Sequence, residues 1–126
     1  MLIEIDFEAE IPIYEQLKRQ IIEGIALGHL KAGENLPSVR QMAEDIGINL
    51  HTVNKAYNEL KLEGYLNIDR RKGAMVSSMF PESTEDFDEK LREDLKYLIA
   101  KAYLRKINEK KFLEFCSSIF KKYNKN

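Results

Sequence analysis

The stretch Leu36-Pro37-Ser38-Val39-Arg40-Gln41-Met42-Ala43-Glu44-Asp45-Ile46-Gly47-Ile48-Asn49-Leu50-His51-Thr52-Val53-Asn54-Lys55-Ala56-Tyr57 decides how this chain folds. Ser38 followed by Gln41 is a capping box, and Val39, Met42, Ala43 and Ile46 recur at i, i+3, i+4 and i+7, which predicts a short amphipathic helix. Gly47 can take the left-handed conformation that ends it, with Ile48 as the hydrophobic contact beyond the cap. Asn49 can then accept a hydrogen bond from the first turn of a following helix. Two helices separated by one tight turn make a helix-turn-helix. On a wheel of about 100° per residue, Val53, Ala56, Tyr57 and Leu60 gather on one side of the second helix, and His51, Asn54, Lys55 and Asn58 on the other. One side suits a core. The other carries the amide, imidazole and ammonium groups that can bond base edges in a DNA groove, although a merely solvated helix face has the same composition.

On the N-terminal side, residues 2 to 8 alternate, with Leu2 or Ile3, Ile5 and Phe7 spaced as in a short strand or arm. Pro12 suits the first turn of a helix, where its missing N–H is no loss, and Tyr14, Leu17, Ile21 and Ile25 form an apolar stripe that runs on towards Gly28. Gly28 can cap this helix, with Leu30 folding back onto it. The segment His29 to Pro37 is a connector with room for a very short strand around Asn35 and Leu36. Arg40 lies in the first turn of its helix, where a cation opposes the helix dipole at about 0.3–1 kcal/mol; a nearby phosphate reverses that cost.

On the C-terminal side, Tyr65 to Asp69 alternates like a strand, Arg70-Arg71-Lys72-Gly73 makes a basic turn, and Ala74 to Ser77 returns as a second strand. This is a hairpin wing. Three cations beside a glycine can approach phosphates or a minor groove closely. The same charges also serve simply to protect sheet edges.

The whole chain is 126 residues, 44% hydrophobic and 33% charged, enough for one ordinary domain and a small appendage. No long apolar run or signal-peptide pattern occurs, which implies a soluble, cytoplasmic protein with no membrane partner. Cys116 has no cysteine to pair with, and His29 and His51 lie far from it in sequence, so no metal site or cofactor is expected. The net charge of -1 is well short of the basic balance typical of small DNA binders. Its distribution is uneven, however. Acidic residues crowd into Glu82, Glu85, Asp86, Asp88, Glu89, Glu93 and Asp94, whereas Lys55, Lys61, Arg70, Arg71 and Lys72 fall in or just after the second helix of the motif, a segregation that can steer DNA to one face.

Over about residues 10 to 78 the chain resembles the winged-helix domain of the GntR family of bacterial transcriptional regulators. The resemblance is carried by Pro12-Ile13-Tyr14-Glu15-Gln16-Leu17, Gly33-Glu34-Asn35-Leu36-Pro37-Ser38-Val39-Arg40, Thr52-Val53-Asn54-Lys55-Ala56-Tyr57-Asn58-Glu59-Leu60 and Glu63-Gly64-Tyr65-Leu66. The Ala-Tyr-x-Glu-Leu pattern and short tail are most similar to the YtrA-type subgroup. The resemblance implies that Arg40, His51, Thr52, Asn54 and Gly73 approach DNA. Lys55 and Arg71 enter on the wheel and on charge, and Ser38, Asn49, Asn58, Arg70 and Lys72 complete the candidate DNA-binding set. Leu50 stands where the family often has a polar residue, and Arg71 where it commonly has the first wing glycine. Met75 and Val76 match the apolar end of the wing, with Val76 expected under the sheet.

Beyond the wing, Ser83 or Thr84 can cap a helix bearing Phe87, Leu91, Leu95, Leu98 and Ile99, and Asn108 a second bearing Phe112, Phe115, Cys116, Ile119, Phe120 and Tyr123. Two such helices have too little interior to bury both stripes, so the apolar faces, Cys116 aside, are expected to meet a second copy in a homodimer. Packing back onto the winged domain is the other way to cover them. Cys116 is expected as a small packed core residue.

The expected architecture is mainly α with a small β-hairpin wing: a winged helix-turn-helix domain over 1–78, then a C-terminal α-helical hairpin over 79–126. The expected activity is sequence-specific binding of double-stranded operator DNA by a homodimeric repressor, with any small-molecule effector housed at a dimer crevice or in the DNA-binding domain. The alternative is a winged helix that contacts protein, motivated by the near-neutral charge. An enzyme is not expected, since no paired carboxylates, nucleophile with base or phosphate loop occur at suitable spacing.

Overall fold

The computed structural model describes residues 3–124, and these divide between two compact units, Met1–Phe80 and Pro81–Asn126. The first unit contains α1 (Ile13–Ala26), α2 (Val39–Ile46), α3 (Leu50–Leu62), β1 (Leu66–Asp69) and β2 (Gly73–Val76). The second contains α4 (Glu85–Leu104) and α5 (Glu109–Asn124). The expected fold class is what the structure shows.

Each boundary in the first unit has a local cause. Ser38 caps α2 by accepting from the Gln41 N–H at 3.1 Å, and Gly47 ends it at φ +80°, with the N–H groups of Gly47 and Ile48 both donating to the Ala43 carbonyl. The reciprocal half of the capping box is absent. The Gln41 amide donates to Asp45 one turn on, at 2.7 Å, a competing i,i+4 contact on the exposed face. Asn49 caps α3 by accepting from the His51 N–H at 2.7 Å.

The wing hairpin pairs Leu66 with Val76 through to Asp69 with Gly73, one residue earlier at each strand end than expected on the return side. Beyond it, Ser77 N–H donates to the Tyr65 carbonyl. The other edge of β2 is also used. Leu36 N–H donates to Ala74, Gly33 N–H to Val76, and Val76 N–H to Glu34, with a bridge between Asn35 and Met75, so the short strand expected around Asn35 and Leu36 is present as a bridge. β2 is thus flanked on both sides.

The core lies where α1, α2, α3 and this small sheet converge. Leu17 and Ile21 of α1, Val53 and Leu60 of α3, and Val76 of β2 are wholly buried, each a side chain whose burial contributes about 1.5–3 kcal/mol. Tyr57 is buried too, and its hydroxyl donates to the Pro37 carbonyl at 2.8 Å, linking α3 to the segment that enters α2. Burial pushes its phenol well above the usual tyrosine range.

Two further features refine the sequence-based picture, the first by deciding between the strand and the arm that residues 2 to 8 offer. No strand forms over residues 3–8, and Leu2 lies outside the described residues. Instead the arm runs along α1, where side-chain amides replace a neighbouring strand: Gln20 accepts from the Glu4 N–H and donates back to its carbonyl, and Gln16 does the same for Asp6 at 2.9 Å each way. The second feature is Lys18, which the stripe on α1 did not mark as interior. It is 7% exposed, and its ammonium lies 3.1 Å from both Glu59 and Glu63 of α3. Burial works against the charged form, but the hydrogen bonds that the ammonium donates to Glu63 and Glu59 outweigh it and hold the lysine above its usual pKa.

In the second unit, Thr84 caps α4 by accepting from the Phe87 N–H, and Asn108 accepts from the Lys111 N–H at the start of α5. Lys106, at φ +64°, turns the chain between them. Neither helix contains a buried residue. Cys116 is half-buried, so the expected packed-core position is not seen, because α5 has no interior in which to place it.

Candidate nucleic-acid interface

The candidate site begins with what α3 leaves uncovered. Val53, Ala56, Tyr57 and Leu60 are the buried residues of this helix, while Asn49, His51, Asn54, Lys55 and Asn58 are exposed and Thr52 is half-buried. The wheel read from the sequence is therefore the real division of the helix. Leu50, 41% exposed, puts an apolar side chain at the helix start.

Ser38 and Arg40 are exposed at the start of α2. Among the described residues, no hydrogen bond or ion pair occupies the side chains of Arg40, His51, Asn54, Asn58, Arg70 or Arg71. Six outward groups with donors to offer and no intramolecular partner are available to a ligand rich in acceptors.

The wing tip is built with the same economy. Asp69 accepts from the N–H groups of Arg71 at 2.7 Å and Lys72 at 3.4 Å, which closes the turn and leaves the exposed Arg70, Arg71 and Lys72 side chains outside it. These backbone hydrogen bonds, first from Arg71 and then from Lys72, hold the Asp69 carboxyl below its ordinary pKa. Gly73 follows at φ +76°, half-buried and with open space where a Cβ would stand, so the turn geometry itself selects glycine there. Val76 is buried under the sheet as expected.

Lys55 is the exception among the cations. Its ammonium lies over the ring of Tyr14 on α1, 3.8 Å from the centroid. Sequence reasoning placed Lys55 with the outward polar face and Tyr14 with the α1 stripe; only the approach of α1 to α3 brings them together.

These features bound the chemistry. Among the described residues, no group of three His, Cys, Asp or Glu side chains could hold a metal ion, and no helix is long and apolar enough to cross a membrane. The family model for the bacterial regulatory proteins of the gntR family matches residues 13–76, from the first residue of α1 to the last of β2. The chain belongs to the GntR family. It is 36% identical over 119 residues to the HTH-type transcriptional repressor YtrA of Bacillus subtilis, spanning 94% of this chain and 92% of that one. A crystal structure from Listeria monocytogenes EGD-e, described as a transcriptional antiterminator, is similar with a TM-score of 0.86 and 28% identity, over 94% of this chain and 89% of that one. A structure of AraR(DBD) in complex with operator ORE1 is similar with a TM-score of 0.52 and 25% identity, over 61% of this chain and 94% of that one. The GntR match covers α3 and the wing together, the two elements that carry most of the candidate residues.

In the tail, Phe87, Leu91, Leu95, Leu98, Ile99, Phe115, Ile119 and Phe120 are exposed, and Phe112 and Tyr123 half-buried. Sequence reasoning passed over Tyr97, Tyr103, Leu104 and Leu113, which are also exposed.

Proposed function

We propose that this GntR-family chain is a transcriptional repressor that binds an inverted-repeat operator in double-stranded DNA as a homodimer. The observation that carries this reading is α3: one face fully buried, the opposite one exposed and without intramolecular partners at His51, Asn54 and Asn58. Asn can bond adenine through its amide and His can donate or accept at base edges, so these residues supply sequence preference. Arg40, Arg71 and Lys72 supply phosphate contacts and hence affinity, and Ser38, Asn49, Thr52, Lys55, Arg70 and Gly73 complete the contact surface. The operator complex of the structurally similar AraR(DBD) supports the same use of the fold.

Repression follows from steric exclusion of polymerase at the promoter, in the cytoplasm. The partner for the tail is a second copy, because α4 and α5 carry exposed aromatic and aliphatic rows with no buried residue between them. Two-fold symmetry then places half-sites about one helical turn apart. An effector, where one acts, has the dimer crevice or the DNA-binding domain in which to bind.

Mobility shifts on a promoter library followed by footprinting test the reading. The expected result is protection of a short inverted repeat at few promoters; uniform weak binding to every fragment refutes it. Sedimentation of the free protein as a monomer at micromolar concentration refutes the dimer.

A further inference from the structure

The polar side of α3 is not one surface. At about 100° per residue, His51, Asn54 and Asn58 share one row, while Lys55, Glu59 and Glu63 form a second row along i,i+4 spacing. The second row meets α1 all along its length: Lys55 lies over Tyr14, and Glu59 and Glu63 bond Lys18. Tyr14 and Lys18 are themselves one helical turn apart on α1. The seam between the two helices is therefore polar on this side, and Lys55 is the member of it nearest the start of α3.

Position limits what Lys55 can do. To reach a base edge from this shoulder, its ammonium must leave the Tyr14 ring, giving up a cation–π contact. At an exposed site such a contact corresponds to about a two- to fivefold factor in an equilibrium. Held over the ring, the ammonium stays beside α1 as a fixed point charge, and a point charge without directional bonds suits a phosphate better than a base.

We propose that Tyr14 is a positioning residue for DNA recognition. Its ring holds the Lys55 ammonium on the α1 side of α3, so that Lys55 contacts the phosphate backbone and base reading falls to His51, Asn54 and Asn58. The proposal rests on the DNA-binding reading above and narrows it, giving a phosphate role to Lys55, whose ammonium the sequence counts among the groups that can bond base edges.

The test uses the full chain, a footprinted operator fragment and a panel of its single-base variants, with affinity measured across a salt series. Lys55→Ala is expected to weaken binding to every fragment by the same factor and to reduce the slope of log affinity against log salt by about 0.9, the value for one phosphate. Tyr14→Leu is expected to weaken operator binding about two- to fivefold in the wild-type background and to have no further effect in the Lys55→Ala background. Tyr14→Phe, which keeps the ring, restores binding. A general structural role for Tyr14 predicts instead equal losses in both backgrounds. The proposal is overturned if Lys55→Ala changes the preference at one base pair by tenfold or more, if Tyr14→Leu is additive with Lys55→Ala, or if Tyr14→Leu leaves affinity unchanged or raises it. Absence of any footprint for the wild-type protein overturns the DNA-binding reading and this inference with it; a footprint combined with any of the other outcomes overturns the inference alone.

Discussion

Replacing Lys18 with alanine removes the cation from the α1–α3 seam, and its cost can be worked from the geometry. The ammonium makes two hydrogen bonds of 3.1 Å to carboxylates and lies 4.0 Å from a third, Glu15. A hydrogen bond to a charged partner contributes about 1.5–3 kcal/mol. Two of them would give about 3–6 kcal/mol, but the side chains of Glu59 and Glu63 are 34% and 46% exposed, so water takes over much of their solvation once the lysine is gone. The loss of the buried stem adds a packing cost. The expected destabilisation is about 2 kcal/mol, or a fall in Tm of about 8–16 °C for a domain of this size. Lys18→Met keeps the stem and should lose less.

The sign of the pH effect is independent of that magnitude. Lys18 is held above its usual pKa of 10.5 in the fold, so its contribution is complete below that value and is lost as pH rises through the raised one. Urea denaturation of the wild type and both variants between pH 7 and 11 reads both effects. A Lys18→Ala loss below about 0.5 kcal/mol at pH 7, or a Lys18→Met variant with the same alkaline limb as the wild type, refutes the assignment of this cluster as a clamp on α3.

Three further outcomes follow from single contacts. Tyr57→Phe removes the hydrogen bond to the Pro37 carbonyl and should cost about 1 kcal/mol in denaturant melts. Because burial raises the Tyr57 pKa above the ordinary tyrosine value of 10.0, the same variant should also lose less stability than the wild type above pH 10. Gly47→Ala meets no atom within 4 Å but keeps φ at +80°, so it should destabilise by about 1–2 kcal/mol through backbone strain alone, with unchanged near-ultraviolet spectra. Leu98→Glu, at an exposed apolar position on α4, should shift the proposed dimer to monomer in sedimentation while leaving the far-ultraviolet helix signal intact; a dimer of unchanged strength would place the interface elsewhere.

What could be read from the chain in advance was whatever depends on near neighbours in sequence. Ser38, Gly47, Asn49, Thr84 and Asn108 act within a few residues of themselves, and the buried face of α3 follows from periodicity, so all were legible before any coordinates. Most of what was not legible consists of contacts between elements. Lys18 reads as a solvated lysine until α3 places two carboxylates over it, and Lys55 reads as an outward cation until α1 places Tyr14 beneath it. Gln41 differs for a local reason: Ser38 and Asp45 both lie within its reach, and the sequence does not rank them. Residues 3–8 alternate like a strand, and they find strand-like bonding, but the partner is a pair of glutamine side chains that no periodicity analysis marks.

That pairing has a consequence for how the N-terminal arm can vary. Its attachment to α1 uses the peptide groups of Glu4 and Asp6, with the recognising atoms supplied by Gln16 and Gln20. These bonds hold the arm by its main chain at residues 4 and 6, while the half-buried Ile3 side chain packs against the core. A saturation library should therefore tolerate nearly every substitution at residue 4, and at residue 6 should favour asparagine, which keeps the acceptor that Asp6 offers the Glu8 N–H at 3.0 Å; proline, which lacks the N–H that each glutamine accepts, should be rejected at both, and the tolerance should be narrow at Gln16 and Gln20 themselves.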